Sequence, residues 1–204
     1  MFNLKPYLLL LALAPISAYA TFGIEDSGDY LSSSVATPSQ QQTLQDAIYI
    51  KQALAYQNYQ ALAPFIHPTR GVRFSMYAYI DPKTDKVFSR AQFDQYLKAS
   101  KIKFTWGGLD GTGDPLITPL PKYLKDWVDA GKYKSIGPTL NRFQGSGNSL
   151  NNLKEIYPNA DFVEFYYAGS EKYSGMDWQA LRLVFDNYKG KRYLIAIIND
   201  QWTI

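Results

Sequence analysis

Residues Gly175–Ile204 read GMDWQALRLVFDNYKGKRYLIAIINDQWTI. Trp178 to Asp186 has the composition of a strand, and so does Arg192 to Trp202. Asn187-Tyr188-Lys189-Gly190 between them supplies the turn residues of a hairpin. The second strand is apolar at every position from Tyr193 to Ile198. A strand reads that way when both of its faces are covered, so this one belongs inside a sheet. Asp161 to Ala168 adds a third strand upstream, joined through the glycine-flanked loop Gly169–Gly175.

Further upstream the pattern becomes mixed. Thr43 to Gln57 has helical spacing, with Leu44, Ala47, Ile48, Leu54 and Ala55 on one face. Asn58 caps a short second helix, Tyr59 to Phe65, which Pro64 limits. Val72 to Ile80 alternates. Val72, Phe74, Met76, Ala78 and Ile80 face one way, and Arg73, Ser75, Tyr77 and Tyr79 face the other. Ser89 and Gln92 form a capping box at the head of a helix that runs to Ala99. Ile102 to Trp106 is a short strand, followed by the glycine-rich loop Gly107–Asp114. Pro119 opens another helix after Thr118, with Tyr123, Leu124, Trp127 and Val128 on its buried side. Residues 132–148 are irregular, and Ser149 to Tyr157 is a short helical turn stopped by Pro158.

The N-terminus has a different character. Lys5, the apolar run Tyr7–Ala14 and the sequence Ser17-Ala18-Tyr19-Ala20 form the three parts of a secretory signal peptide. Residues 1–20 are expected to be removed by cleavage after Ala20, and 21–42 to be a flexible lead-in. Residues 43–204 then make a single domain. The sequence contains no cysteine, so it has no lipobox anchor and no disulfide. The expected address is the periplasm or the extracellular space, and after cleavage no remaining stretch is apolar enough to span a membrane. The whole sequence has 21 basic and 18 acidic residues. Its basic residues are scattered, and the densest group (Lys98, Lys101, Lys103) is interleaved with apolar ones. Nucleic acid is therefore not an expected partner.

The order of elements resembles the NTF2-like (SnoaL-like, cystatin-type) cone. That resemblance implies an α+β fold, with N-terminal helices packed on a curved antiparallel sheet, helical insertions and a pocket in the concave face. In detail the chain resembles an uncharacterised family of exported bacterial proteins and lipoproteins. The residues that carry the likeness are His67-Pro68, Gly71-Val72-Arg73-Phe74-Ser75, Tyr77, Tyr79, Thr105-Trp106-Gly107, Asp110-Gly111, Gly147-Asn148-Ser149 and the block from Gly175 to Ile204. The family brings no activity with it.

Catalytic signatures are sparse. His67 is the sole histidine. It suits a general base, and before Pro68 it equally suits a turn hydrogen bond. No GxSxG motif occurs. Asp110-Gly111-Thr112-Gly113-Asp114 lacks the remaining ligands of an EF-hand, since Pro121 occupies its twelfth position, and reads as a turn. Neither a metal nor a cofactor is expected. The resemblance instead implies a pocket lined by His67, Arg73, Tyr77, Tyr79 and Arg182, suited to an anionic or hydroxylated ligand. On the competing reading, Arg182 pairs with Glu164 on a neighbouring strand and the tyrosines cover surface. The 17 tyrosines and four tryptophans fit stacking on a glycan as well as strand packing. The expected function is a non-enzymatic exported protein that binds a small molecule or an envelope component. Two alternatives stand beside it: a pocket enzyme of isomerase, dehydratase or hydrolase type, and a structural envelope protein that forms a homodimer.

Overall fold

A computed structural model describes residues 36–99, 101–145, 147 and 150–204. The signal-peptide reading and most of the lead-in fall outside these residues. The protein is α+β: helices pack on one side of a six-stranded sheet, and a separate two-stranded sheet stands beside it.

The sheet is built outward from the C-terminal hairpin. β7 (Gln179–Tyr188) and β8 (Lys191–Gln201) pair antiparallel around Lys189 and Gly190. Both turn residues have positive φ, 53° and 79°, as a two-residue turn that follows the strand twist requires. The register slips by one between Val184 and Phe185, because Ile195 is an extra residue in β8. This bulge accounts for the unbroken apolar run. Leu194 and Ile197 enter the core on the helix side, whereas Ile195, Ala196 and Ile198 enter a second core on the opposite side.

The strand order is β2-β1-β8-β7-β6-β5. β6 is Asp161–Tyr167, and β5 is the short segment Thr139–Leu140. β1 (Val72–Ser75) lies parallel to β8, with Phe74 opposite Ile197. The other four pairings of the sheet are antiparallel, as expected, and this one is the exception. The long excursion from β1 to β8 provides the crossover that parallel neighbours need. β2 (Lys86–Phe88) closes that edge by pairing antiparallel with β1.

β1 is also shorter than its alternation implies. The expected strand to Ile80 ends at Ser75, whose Oγ lies 2.8 Å from the Tyr77 carbonyl and 3.1 Å from that of Tyr79. Trp127 Nε1 donates to the Met76 carbonyl at 2.9 Å. Side chains thus take up carbonyls that a longer ladder would have used. Met76, Ala78 and Ile80 remain buried even without the strand.

The helices cover one face. α1 spans Pro38–Ala55, so residues 38–42 are helical rather than part of a flexible lead-in. Thr37 Oγ1 accepts from Gln40 N, Gln40 Oε1 accepts from Thr37 N, and Pro38 holds the first position. Ala47, Ile50 and Leu54 of α1 share a core with Phe165, Leu181, Leu183 and Phe185. A 3-10 helix follows at Tyr59–Phe65, and α2 at Arg90–Lys98 starts from the expected Ser89–Gln92 box. β3 (Phe104–Gly108) pairs with β4 (Pro115–Thr118), a strand the sequence pattern did not suggest. α3 (Leu120–Tyr123) continues through a π-helical turn to Val128. The second core (Ile80, Leu153, Tyr157, Phe162, Val184, Ile195, Ala196, Ile198) is not covered by long helices. Phe143, Ile156 and Ala160, from a largely irregular segment, pack on it, and α4 there is only Leu153–Ile156.

Candidate functional site

Arg182 shows how the alternation of β7 is used. It lies opposite Glu164 in the β6–β7 register, and both side chains are fully buried. Arg182 Nε donates to Glu164 Oε2 at 2.6 Å, and Nη2 donates to Asp200 Oδ2 at 2.8 Å and to the Gly145 carbonyl at 3.0 Å. Glu164 Oε1 accepts from the amides of Gln144 and Gly145. The Phe143 ring covers the guanidinium at 4.9 Å. Arg182 Nη1 and Asp200 Oδ1 have no hydrogen-bond partner among the described residues. Burial holds the Asp200 carboxyl above the usual range, against the pull of Arg182. The pairing with Glu164 weighed from the sequence is present, with Asp200 as a third member. Arg182 does not line an open pocket.

Arg73 is likewise committed. Its Nε donates to Tyr157 Oη at 3.0 Å, and its Nη1 lies 3.4 Å from the Asp81 carbonyl and 3.6 Å from Asp85 Oδ2. Asp85 also accepts from Asp81 N at 3.1 Å. Burial pushes the Asp85 carboxyl up to about 6, with Arg73 opposing the shift. His67 is buried inside a turn. Its Nδ1 accepts from the amides of Thr69 at 3.2 Å and Arg70 at 3.0 Å, which places the ring proton on Nε2. The ring meets Tyr188 and Tyr193 edge-on. Burial and then the Arg70 charge lower its pKa, which favours the neutral form.

The two tyrosines are placed differently. Tyr77 and Tyr79 line an open cleft of about 620 Å³ with Gly108–Gly113 and Thr203. Tyr77 Oη accepts the Asp110 amide at 2.9 Å, and its ring stands edge-on to Trp127. Burial raises the Tyr77 pKa, so the hydroxyl keeps its proton and can donate it into the cleft. Tyr79 is 53% exposed. The facing loop folds on itself: Leu109 N donates to Asp114 O and Gly113 N to Leu109 O, both at 2.8 Å. Gly111 has a φ of 79°, and a Cβ there would come within 2.7 Å of Ile204 Cδ1. Asp110 Oδ2 accepts the Ile204 amide at 2.7 Å, so the loop is fastened to the end of the chain described here.

Of the five residues expected to share a pocket, only Tyr77 and Tyr79 come together. The correction has one physical cause. The faces of the sheet are filled, by helices on one side and by the segment around Phe143–Ala160 on the other, and the open space lies beyond the end of β1. Leu109, Asp110, Thr112 and Thr203 complete the cleft and were not anticipated. The available signal was the glycine-rich stretch itself, which the sequence presents only as a turn.

Among the described residues no group of three or more histidines and carboxylates is placed to hold a metal, and no helix is long and apolar enough to cross a membrane. No family model and no curated protein matches the chain. A crystal structure from Xanthomonas campestris, provisionally assigned as a calcium/calmodulin dependent protein kinase II association domain, is similar at 12% identity. The match covers 82% of this chain and 92% of that one, with a TM-score of 0.31. A superposition that loose carries no argument about fold or function.

Proposed function

We propose that this is an exported, non-catalytic binding protein whose ligand is a small hydroxylated molecule of the saccharide class, held in the Tyr77–Tyr79 cleft. One observation carries the reading. The cleft offers a half-exposed aromatic ring at Tyr79, a protonated hydroxyl at Tyr77 and a backbone-rich loop whose glycines allow close approach. A ring face with polar groups at its rim suits a sugar, which has apolar C–H faces and hydroxyl edges. Among the described residues that line the cleft the one carboxylate is Asp110, which is engaged by the Ile204 amide, and His67 sits in a separate turn. That arrangement favours binding over acid–base chemistry. The reading includes export to the periplasm or beyond, on the strength of the tripartite leader. It also includes kinship with NTF2-like exported proteins, on the strength of the residues quoted above.

The test is ligand-observed NMR with a panel of soluble mono- and oligosaccharides and cell-wall fragments. At least one saccharide is expected to bind, and Tyr79→Ala is expected to weaken it about tenfold, or roughly 1.4 kcal/mol. The same exposed substitution should leave the unfolding free energy within about 0.5 kcal/mol. Absence of binding at millimolar concentration, or binding indifferent to Tyr79→Ala, would refute the assignment. The export component fails separately if mass spectrometry of the native protein finds residues 1–20 intact.

A further inference from the structure

A second depression, of about 500 Å³, lies on the other side of the glycine loop. It runs between Lys83, Thr84 and Lys86 on one wall and Thr105–Gly108, Gly113 and Pro115 on the other. One wall is the turn at Lys83 and Thr84 that leads into Lys86, the first residue of β2, and the other is β3 with its link to β4. β2 is the outermost strand of the six-stranded sheet, and β3 is paired only with β4. Among the described residues no backbone hydrogen bond joins β2 to β3. The two strands nevertheless share an aromatic floor. The Phe88 ring lies 5.0 Å from that of Phe104 and 6.2 Å from that of Trp106. Trp106 is itself fixed, stacked on Tyr123 at 3.7 Å and donating to the Thr118 carbonyl at 2.8 Å.

We propose that this trough binds an extended acidic peptide, which adds as a strand between β2 and β3. Main-chain groups on both edges would supply the ladder, the mode by which open sheet edges take up peptides. Gly107 and Gly108 of β3 line the trough. The occupant's charge follows from the lining. Its charged residues are Lys83 and Lys86 alone. Of the carboxylates close by, Asp81 accepts from Lys83 N and Thr84 Oγ1 and Asp85 is turned under the loop toward Arg73, while Asp114, between Gly113 and Pro115, is exposed at the far rim. Lysine on an edge strand deters pairing with neutral or basic strands. The same charge selects an acidic one. At about 3.3 Å per residue, the length of β3 accommodates roughly five residues of the peptide.

The experiment is a selection from a displayed library of random octapeptides on the full chain. Enriched clones are then resynthesised as acetylated, amidated peptides and titrated by amide NMR. The expected clones are rich in Asp and Glu. Their shift changes fall on residues 83–88 and 104–108. The double variant Lys83→Glu/Lys86→Glu weakens them about tenfold or more, and methylation of alternate peptide nitrogens abolishes binding. Tyr79→Ala leaves their affinity unchanged, which separates this site from the saccharide cleft. The proposal is overturned if no clones are enriched, if they lack an acidic bias, or if the double variant or the methylated backbone still binds. Concentration-dependent dimerisation removed by the double variant would assign the edges to a second copy of the chain and overturn it equally.

Discussion

Two polar clusters, both announced by strand alternation, end in opposite environments. Around Arg182, three charged side chains are buried beneath Phe143 and tied to the backbone of Gln144 and Gly145. Around Tyr77 and Tyr79, one hydroxyl is tied to a loop amide and the rest of the cleft is open. Alternation tells which side of a strand a residue is on, but not whether that side is covered. Coverage is decided here by residues around 143–160, a stretch with almost no periodicity of its own. The Arg182 cluster is therefore a structural element, and the tyrosine cleft is open to solvent.

Removing the arginine charge tests that contrast most severely. Arg182→Met leaves Glu164 and Asp200 as buried carboxylates without a counter-charge, which costs about 3–5 kcal/mol of unfolding free energy. Urea denaturation followed by tryptophan fluorescence reads this directly. The triple variant Arg182→Met/Glu164→Gln/Asp200→Asn removes all three charges and is expected to recover most of the loss, because apolar and neutral replacements avoid the desolvation cost. A loss below about 1 kcal/mol in the single variant would mean that water reaches the cluster, and the contrast between the two regions would collapse.

Local signals in the sequence were the most readable. The Ser89–Gln92 capping box and the hairpin at Lys189-Gly190 each depend on neighbours within a few positions, whereas the expected cap at Asn58 is absent and the segment after it is a 3-10 helix. The pairing of Arg182 with Glu164 was also legible, as a cross-strand pair, but its third member Asp200 was not, because it lies diagonally on β8. What escaped involves distant partners. β1 ends at Ser75 because its hydroxyl and the Trp127 indole take the carbonyls that follow, and the Trp127 contact spans 51 positions. The parallel pairing of β1 with β8 spans more than the whole middle of the chain. Tyr77 and Tyr79 were picked out by alternation, yet the opposite wall of their cleft comes from a loop held to Tyr77 across 33 positions. No periodicity encodes such a contact.

The carboxyl of Asp85 offers a milder test, intermediate between the sealed cluster and the open cleft. Its pKa is raised from 3.8 to about 6, chiefly by burial. Between those values the folded chain keeps a proton that the unfolded chain has released. Stability is therefore greatest below the unfolded value and declines as pH rises toward 6. The full shift would correspond to about 3 kcal/mol, and partial solvation reduces this to roughly 1–2 kcal/mol. Asp85→Asn should remove that decline, which a difference curve of unfolding free energy between pH 4 and 7 would show. His67 works in the opposite sense. Its lowered pKa means that the unfolded chain takes up the proton first, so its contribution is present above about 6.5 and lost as pH falls. Subtracting variant from wild type cancels that term, and a flat difference curve would show that Asp85 is solvated.

The smallest expected effect lies at the cleft itself. Tyr77→Phe deletes one hydrogen bond, from the Asp110 amide to the phenolic oxygen, and leaves the ring against Trp127. The Asp110 amide is at an exposed position, so water can replace the lost acceptor. The expected loss is about 0.5–1.5 kcal/mol, well below that of Arg182→Met. Hydrogen exchange at Asp110 should accelerate, while amides in β6 and β7 stay as protected as in the wild type. That localisation is the informative part. If Tyr77→Phe instead loosened the central strands, the cleft would be part of the core rather than a site set at its edge. If exchange at Asp110 did not change, the loop would be held by Ile204 alone, and Tyr77 would be free to give its whole hydroxyl to a ligand.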